Sequence, residues 1–428
     1  MTDVTPAAAP KPMGVRDVLR IPTYRTLFGG QVVSDIGDGI TLLLLLLVIN
    51  DLTGSKIALA LMAIAEAVPH FTVGLVAGVY VDRWNRRTVM LAADLLRAVI
   101  VIGFAVAATA GILPLLYLLA FAQSSVSTFF RPARGALLPK IVPAEGLPAA
   151  NSLAQGSQLI GSVVGAGIAG LLFGTFGSGA IGFVIDAATF VISFLFISRI
   201  AASLGRISAP PDADRAPQDV GRSLLEGLAI VRSSRALTGS VIAAAVSMLG
   251  LGAVNVLFVP LIVDELKVDP TWMAGVDLAQ TAAMLMAAGV VVFLVRRLAP
   301  TTIITLGLAG IGLCIGFMSG VTAIWQVLVL LFVVGWMITP LQAMLQTIVQ
   351  TTATDATRGR VVALLQASLS TASVGSMALG GVLGELIGIR AVYLAAAVVV
   401  LVAAGIAFLL FRGVSGRPAP VAPAVEAA

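Results

Sequence analysis

The sequence predicts an all-α membrane protein of twelve transmembrane helices in two pseudo-symmetric six-helix halves. Three observations carry this. The 428 residues are 59% hydrophobic and only 11% charged, with mean hydropathy +1.05, whereas a soluble domain carries roughly 25% charged residues. The apolar residues gather into segments of about 20, the length a helix needs to cross the hydrocarbon. The one long hydrophilic interruption, Ala201 to Val220, divides those segments six and six.

Taken in order, residues 1–20 read as a disordered tail. Thr2 to Pro12 is rich in Ala and Pro and lacks the basic region, short apolar run and cleavage site of a signal peptide. The first half, 21–203, holds spans at 27–49, 57–80, 88–110, 115–130, 148–173 and 180–200. A linker, 204–235, begins around Pro210-Pro211-Asp212. It continues with Leu224, Leu225, Leu228, Ile230 and Val231 interleaved with Arg222, Glu226 and Arg232, the pattern of an amphipathic helix on a membrane surface. The second half, 236–412, holds spans at 237–263, 272–295, 301–320, 324–349, 361–386 and 391–411, and 413–428 reads as a second disordered tail. The single cysteine, Cys314, lies in an apolar run, which excludes a disulfide framework and a thiolate metal site.

Orientation follows from the charges. Between the second and third spans the chain breaks into Asp82-Arg83-Trp84-Asn85-Arg86-Arg87 and then resumes. Arg is costly within a bilayer, so this turn is placed at the cytoplasmic face. With that loop inside, Arg16, Arg20, Arg25, Arg131, Arg134, Lys140, Arg296, Arg297, Arg358, Arg360 and Arg412 also fall inside, while only Lys56, Lys267 and Arg390 fall outside. The formal charge of +5 is therefore topology signal, and no nucleic-acid partner is expected. An even number of spans places both termini in the cytoplasm.

The halves also read as repeats. The fifth span runs from Asn151 through Gly161, Gly165, Gly167 and Gly170. The eleventh runs from Ala363 to Gly375 and then Gly380-Gly381-Val382-Leu383-Gly384. Small residues at such spacing permit close helix packing. Two six-helix halves joined by a cytoplasmic linker are the parallel-repeat layout of the major facilitator superfamily.

The chain resembles that superfamily in its residues too. Gly78-x-x-x-Asp82-Arg83-x-x-Arg86-Arg87 is similar to its loop between the second and third spans, with Asn85 in place of the usual glycine. Asn also accepts left-handed geometry, which suits a turn. Further stretches, Ser34-x-x-Gly37-Asp38-Gly39, Phe130-Arg131-Pro132-Ala133-Arg134, Ala150-Asn151-Ser152-Leu153 and Arg358-Gly359-Arg360, resemble the macrolide-efflux and enterobactin-exporter branch. The resemblance implies a major facilitator fold and a multi-pass secondary transporter of the bacterial cytoplasmic membrane. Such a protein exports amphipathic small molecules, drug-like or siderophore-like, by proton antiport with alternating access. It also implies that Asp82 latches the halves against Arg131 or Arg134 and the helix start near Arg360. The Gly-Pro pair that related antiporters carry in the fifth span is here Gly165-Ala166.

Ionisable groups within apolar spans face a cavity or a partner, because an unpaired charge against lipid is too costly. Asp35 and Asp38, with Gln31 four residues before Asp35, form a polar stripe on the first span. Glu66 and His70 form another on the second, where Pro69 perturbs the helix. These residues are the candidates for exchanging protons or meeting a cationic substrate, set against a structural hydrogen-bond cluster. Gln342 and Gln346, on one face beside Thr339-Pro340, are further cavity candidates. Asp94 and Arg97, three apart, are expected to pair with each other; Asp186 and Asp277 stand isolated. Gly165-Ala166-Gly167-Ile168-Ala169-Gly170 matches GxGxxG, with Asp186 at the distance of a ribose contact. It lies mid-span, so helix packing is the reading adopted and no cofactor is expected. Phosphate-loop, zinc-protease and nucleophile-elbow motifs are missing from the sequence, so neither ATP hydrolysis nor a familiar hydrolase chemistry is indicated. The expected partners are a small-molecule substrate, protons and the lipid bilayer, with the chain acting as a monomer.

Overall fold

A computed structural model describes residues 13–81, 83–205 and 220–412, and every regular element among them is helical. They are α1 (Val15–Leu19), α2 (Pro22–Thr53), α3 (Lys56–Val81), α4 (Arg86–Ala110), α5 (Leu113–Leu137), α6 (Leu147–Phe176), α7 (Ala180–Ser198), α8 (Val220–Ser233), α9 (Arg235–Pro260), α10 (Met273–Arg297), α11 (Pro300–Met318), α12 (Ile324–Thr352), α13 (Asp355–Ile387) and α14 (Ile389–Phe411), with short 3-10 or π turns between some of them. Twelve of these elements are long and apolar enough to cross a membrane. Asp82, the core of the linker around Pro210 and the residues beyond Arg412 lie outside the described residues.

Local chemistry sets several helix ends. Asn85 does not adopt the left-handed geometry expected of it. It is extended (φ −63°, ψ 113°) and caps α4, its side chain accepting from the Thr88 N–H at 3.2 Å. That use of a short polar side chain satisfies one of the free N–H groups at a helix start. Gly111 closes α4 at φ +66°, a left-handed position open to glycine. The stretch 131–134, expected in a loop, is helical: α5 continues to Leu137 because Phe130, Ala133 and Leu137 keep an apolar face buried. Residues 15–19, expected in a tail, form α1. Val18 is fully buried there and packs with Leu138, Val142 and Ala150.

The chain divides into two compact units, Met1–Val48 with Ala65–Ala213 and Ile49–Ile64 with Asp214–Ala428. In unit 1, α4 packs on α5 and α7; in unit 2, α11 packs on α12 and α14, the same pairing one repeat later. Both units have a seam of small residues. A Cβ at Gly165 of α6 would lie 2.5 Å from the Ile36 carbonyl oxygen of α2, and one at Gly161 2.7 Å from the Asp35 backbone. In unit 2, a Cβ at Gly252 of α9 would lie 2.6 Å from the Ser373 carbonyl oxygen of α13, and one at Gly380 2.6 Å from Ala253 Cα. Backbones this close gain dispersion along their whole contact.

Unit 2 also differs from expectation at α8. This helix docks on the start of α13, where Gly227 leaves room for the Arg360 carbonyl and Glu226 pairs with Arg360 at 3.1 Å. Lys56 and Arg390, two of the basic residues that the sequence sets apart on the outer side, have acidic partners within unit 2. Lys56 Nζ lies 3.9 Å from Asp264, which also accepts from Asn50 at 3.0 Å, and Arg390 donates to Glu265 at 3.1 Å.

Candidate functional site

The polar residues of unit 1 converge on a cavity of about 380 Å³. Five helices supply the groups. From α2 come Gln31, Asp35 and Asp38; from α3, Glu66 and His70; from α4, Arg97; from α5, Ser124, Arg131 and Arg134; from α6, Gln158. The chain thus gathers three carboxylates, three guanidinium groups and its only histidine into one space within apolar helices. A charge so placed must be paired or hydrogen-bonded, because an isolated one is very costly to remove from water.

The pairing differs from the local reading of the sequence. Arg97 does not pair with Asp94 on its own helix. Its guanidinium contacts the Asp38 carboxylate of α2 and stacks 4.0 Å over the Phe190 ring of α7. The i,i+3 spacing favours a local pair, but both α2 and α7 bring groups to the same depth, and the longer Arg side chain reaches across. Asp35 accepts from the Ser157 hydroxyl of α6 and lies within the field of Arg134. Arg131 likewise acts on Asp38. Arg131 and Arg134 therefore line the cavity from the last turns of α5.

On the opposite wall, the His70 Nδ1 lies 3.0 Å from the Glu66 carbonyl oxygen and 3.0 Å from Ser124 Oγ, while Ser124 donates to that same carbonyl at 2.5 Å. The ring is held by its neighbours, and α3 runs through Pro69 without a break in helix. The Glu66 side chain reaches the cavity with no charged group of the described residues paired to it.

Behind Asp38 stands Asp186 of α7, fully buried, accepting from Thr41 at 2.5 Å and Thr189 at 3.0 Å. Gly37 makes this possible, since a Cβ there would lie 2.0 Å from Asp186 Oδ1 and 2.1 Å from Thr189 Oγ1. Gly37-Asp38-Gly39 thus serves two neighbours, with Gly37 against α7 and Gly39 against the Gly161 carbonyl of α6.

The remaining candidates lie elsewhere. Arg83 is exposed, and Arg87 donates to the Ile197 and Ser198 carbonyls at the end of α7, at 3.3 and 2.7 Å. Arg86 is half-buried, Gly78 sits in the last turns of α3, and Asp82 lies outside the described residues. Gln342 and Gln346 are exposed on α12 in unit 2 and are not among the residues that line the cavity of unit 1. In α6, Gly161, Gly165 and Gly170 are buried and Gly167 is half-buried. The GxGxxG glycines therefore occupy the middle of a 30-residue helix with no strand before it.

A family model described as transmembrane secretion effector (MFS_3) matches residues 16–418. The chain belongs to the major facilitator superfamily. Relatives within the superfamily include the multidrug efflux pump Tap of Mycolicibacterium fortuitum, 29% identical over 92% of this chain and 96% of that one. The MFS-type transporter YfiS of Bacillus subtilis is 27% identical over 86% of this chain and 88% of its own. Macrolide efflux protein A of Streptococcus pyogenes is 27% identical over 61% and 64%. Among solved structures, the nucleoside transporter NupG in its D323A form aligns with TM-score 0.74 at 13% identity, over 91% of this chain and all of that one. A bacterial homologue of the iron transporter ferroportin aligns with TM-score 0.72 at 16% identity, over 92% and 99%. At such identities these two share the fold. This major facilitator chain is a transporter and not an enzyme.

Sequence reasoning placed Asp35, Asp38, Glu66, His70 and Gln31 in candidate stripes but missed Arg97 and Asp186 as their neighbours. The signal was present: an arginine and an aspartate each sit mid-span, and mid-span charges seek one another.

Proposed function

We propose that this transporter exports amphipathic small molecules across the bacterial cytoplasmic membrane by proton antiport with alternating access, both termini lying in the cytoplasm. The single observation that supports it is the cavity of unit 1, where Asp35, Asp38 and Glu66 meet three arginines and His70 within apolar helices. A chain that served only as a scaffold or sensor has no need of such a space, since buried ion pairs contribute little net stability. The efflux names of the relatives support the direction and the substrate class. Asp35, Asp38, Glu66 and His70 carry protons or meet substrate, Gln31 supplies a hydrogen bond to it, and the segment from Gly78 through Asp82 and Arg83 to Arg86 and Arg87 gates access, with Arg131 and Arg134 its partners on α5. The protein acts as a monomer.

The test is a dye-retention and growth screen of an expressing strain against a broad compound panel. Lower retention of several unrelated amphipathic compounds, lost in a Glu66→Gln strain, supports the reading. Protection against a single compound indicates a dedicated exporter, and no change across the panel removes the export function.

A further inference from the structure

Behind the cavity, three carboxylates from three helices surround one guanidinium. Asp38 of α2 contacts Arg97 directly. Asp94 and Asp186, both fully buried, lie in the field of Arg97 and of Asp38 from α4 and α7. The other charged groups facing this cluster are Arg131 of α5, which acts on Asp38, and Asp35 of α2, which is engaged by Ser157 of α6 and Arg134. Glu66 of α3 lies across the cavity.

The polar atoms here are not balanced by hydrogen bonds. Both Asp94 carboxyl oxygens, the Arg97 Nε and the Ser193 hydroxyl are buried without a well-formed hydrogen bond, although Ser193 stands against the Asp94 carboxyl. Asp38 engages Arg97 and Arg131, which leaves Asp94 and Asp186, both removed from water, with no guanidinium in contact, and two such carboxylates are not tolerated in ionised form in an apolar interior. A proton on each excess carboxyl removes the charge and turns an acceptor into a donor.

We propose that Asp38, Asp94 and Asp186 form, with Arg97, a single proton-holding site that carries two protons at rest. Asp38, whose side chain is 42% accessible through the cavity, is the ionised member and the port to solvent. Asp94 and Asp186 are the protonated members. The Asp186 hydroxyl would donate to Thr41 across the 2.5 Å contact, and the Asp94 hydroxyl would find Ser193. The use of this site in transport rests on the antiport reading; its proton content does not.

Infrared spectra of the purified protein at neutral pH count carboxylic acids by their C=O stretch, which shifts in heavy water. Asp94→Asn and Asp186→Asn are each expected to show one carboxylic acid fewer than the unaltered protein. Arg97→Gln is expected to show one more, because Asp38 then loses the guanidinium in contact with it and keeps only the more distant Arg131. Unchanged counts in Asp94→Asn and Asp186→Asn overturn the proposal, as does an unchanged or smaller count in Arg97→Gln. If Arg97→Gln fails to fold, the two isosteric Asn variants decide the matter alone. Proton-driven transport measured on the same preparations separates the two readings: its absence from the unaltered protein, with the spectral counts as expected, refutes antiport and leaves the site standing.

Discussion

Replacing Gly165 by Ala adds one methyl group to the seam between α6 and α2. The new Cβ would lie 2.5 Å from the Ile36 carbonyl oxygen and 2.6 Å from both the Gly39 carbonyl carbon and the Ile40 nitrogen. All three are backbone atoms, so no side chain can swing aside. The methyl is about 0.9 Å short of the 3.4 Å at which ordinary contact begins, and the helices must part by about that much. A radial gap of roughly 0.5–1 Å forfeits a quarter to a half of each dispersion contact, and overpacking of this kind costs about 1–3 kcal/mol. Part of this is offset by the higher helix propensity of Ala, worth about 1 kcal/mol in a helix interior.

Gly156 supplies the control on the same helix, because a Cβ there meets nothing within 4 Å. Gly156→Ala therefore shows the propensity term alone and is expected to be neutral or mildly stabilising. Equilibrium unfolding by SDS in mixed micelles measures both variants on one scale. Gly165→Ala should unfold at lower SDS than Gly156→Ala, by about 1–3 kcal/mol, and Gly156→Ala at equal or higher SDS than the unaltered protein. Equal stability of the two variants would refute the close approach of α2 and α6.

Further outcomes follow from the site. Gly37→Ala pushes a methyl into Asp186 and Thr189 and should lower stability by about 1–3 kcal/mol in the same assay, with loss of transport activity because Asp186 is displaced. Asp38→Asn and Glu66→Gln remove titratable protons and should each flatten the pH dependence of efflux from inverted vesicles; unchanged profiles in both would take these residues out of coupling. Arg87→Ala removes a cation from the carbonyl end of α7 and should destabilise by about 1 kcal/mol, with insertion intact by protease protection. Asp82→Asn should impair transport at normal expression; normal turnover would reduce the loop to a topology anchor.

The twelve spans were legible because apolar length is a direct requirement of the bilayer, and most helix ends fall within a few residues of where the hydropathy changes. The exceptions have physical causes. Arg131 and Arg134 looked like loop residues because arginine is costly in lipid, but the α5 helix turns them into a cavity instead. Asp94 and Arg97 looked like a pair because spacing along one helix is all that a sequence displays. The pairing of Arg97 with Asp38 depends on how α2, α4 and α7 meet, which the small residues permit but do not spell out. Asn85 was read as a turn residue when its side chain was needed as a cap. Asp186 has Thr189 three residues on along its own helix, but acquired Thr41 and Arg97 only through packing.

The central claim is that proton movement through the carboxylates of unit 1 drives export. Proteoliposomes with an acidic interior and a trapped pH-sensitive dye test it with any compound that the screen identifies. Addition of that compound outside should raise the interior pH in vesicles holding the unaltered protein, and should leave it unchanged with Asp38→Asn. Accumulation of the compound with no change of interior pH would contradict the claim.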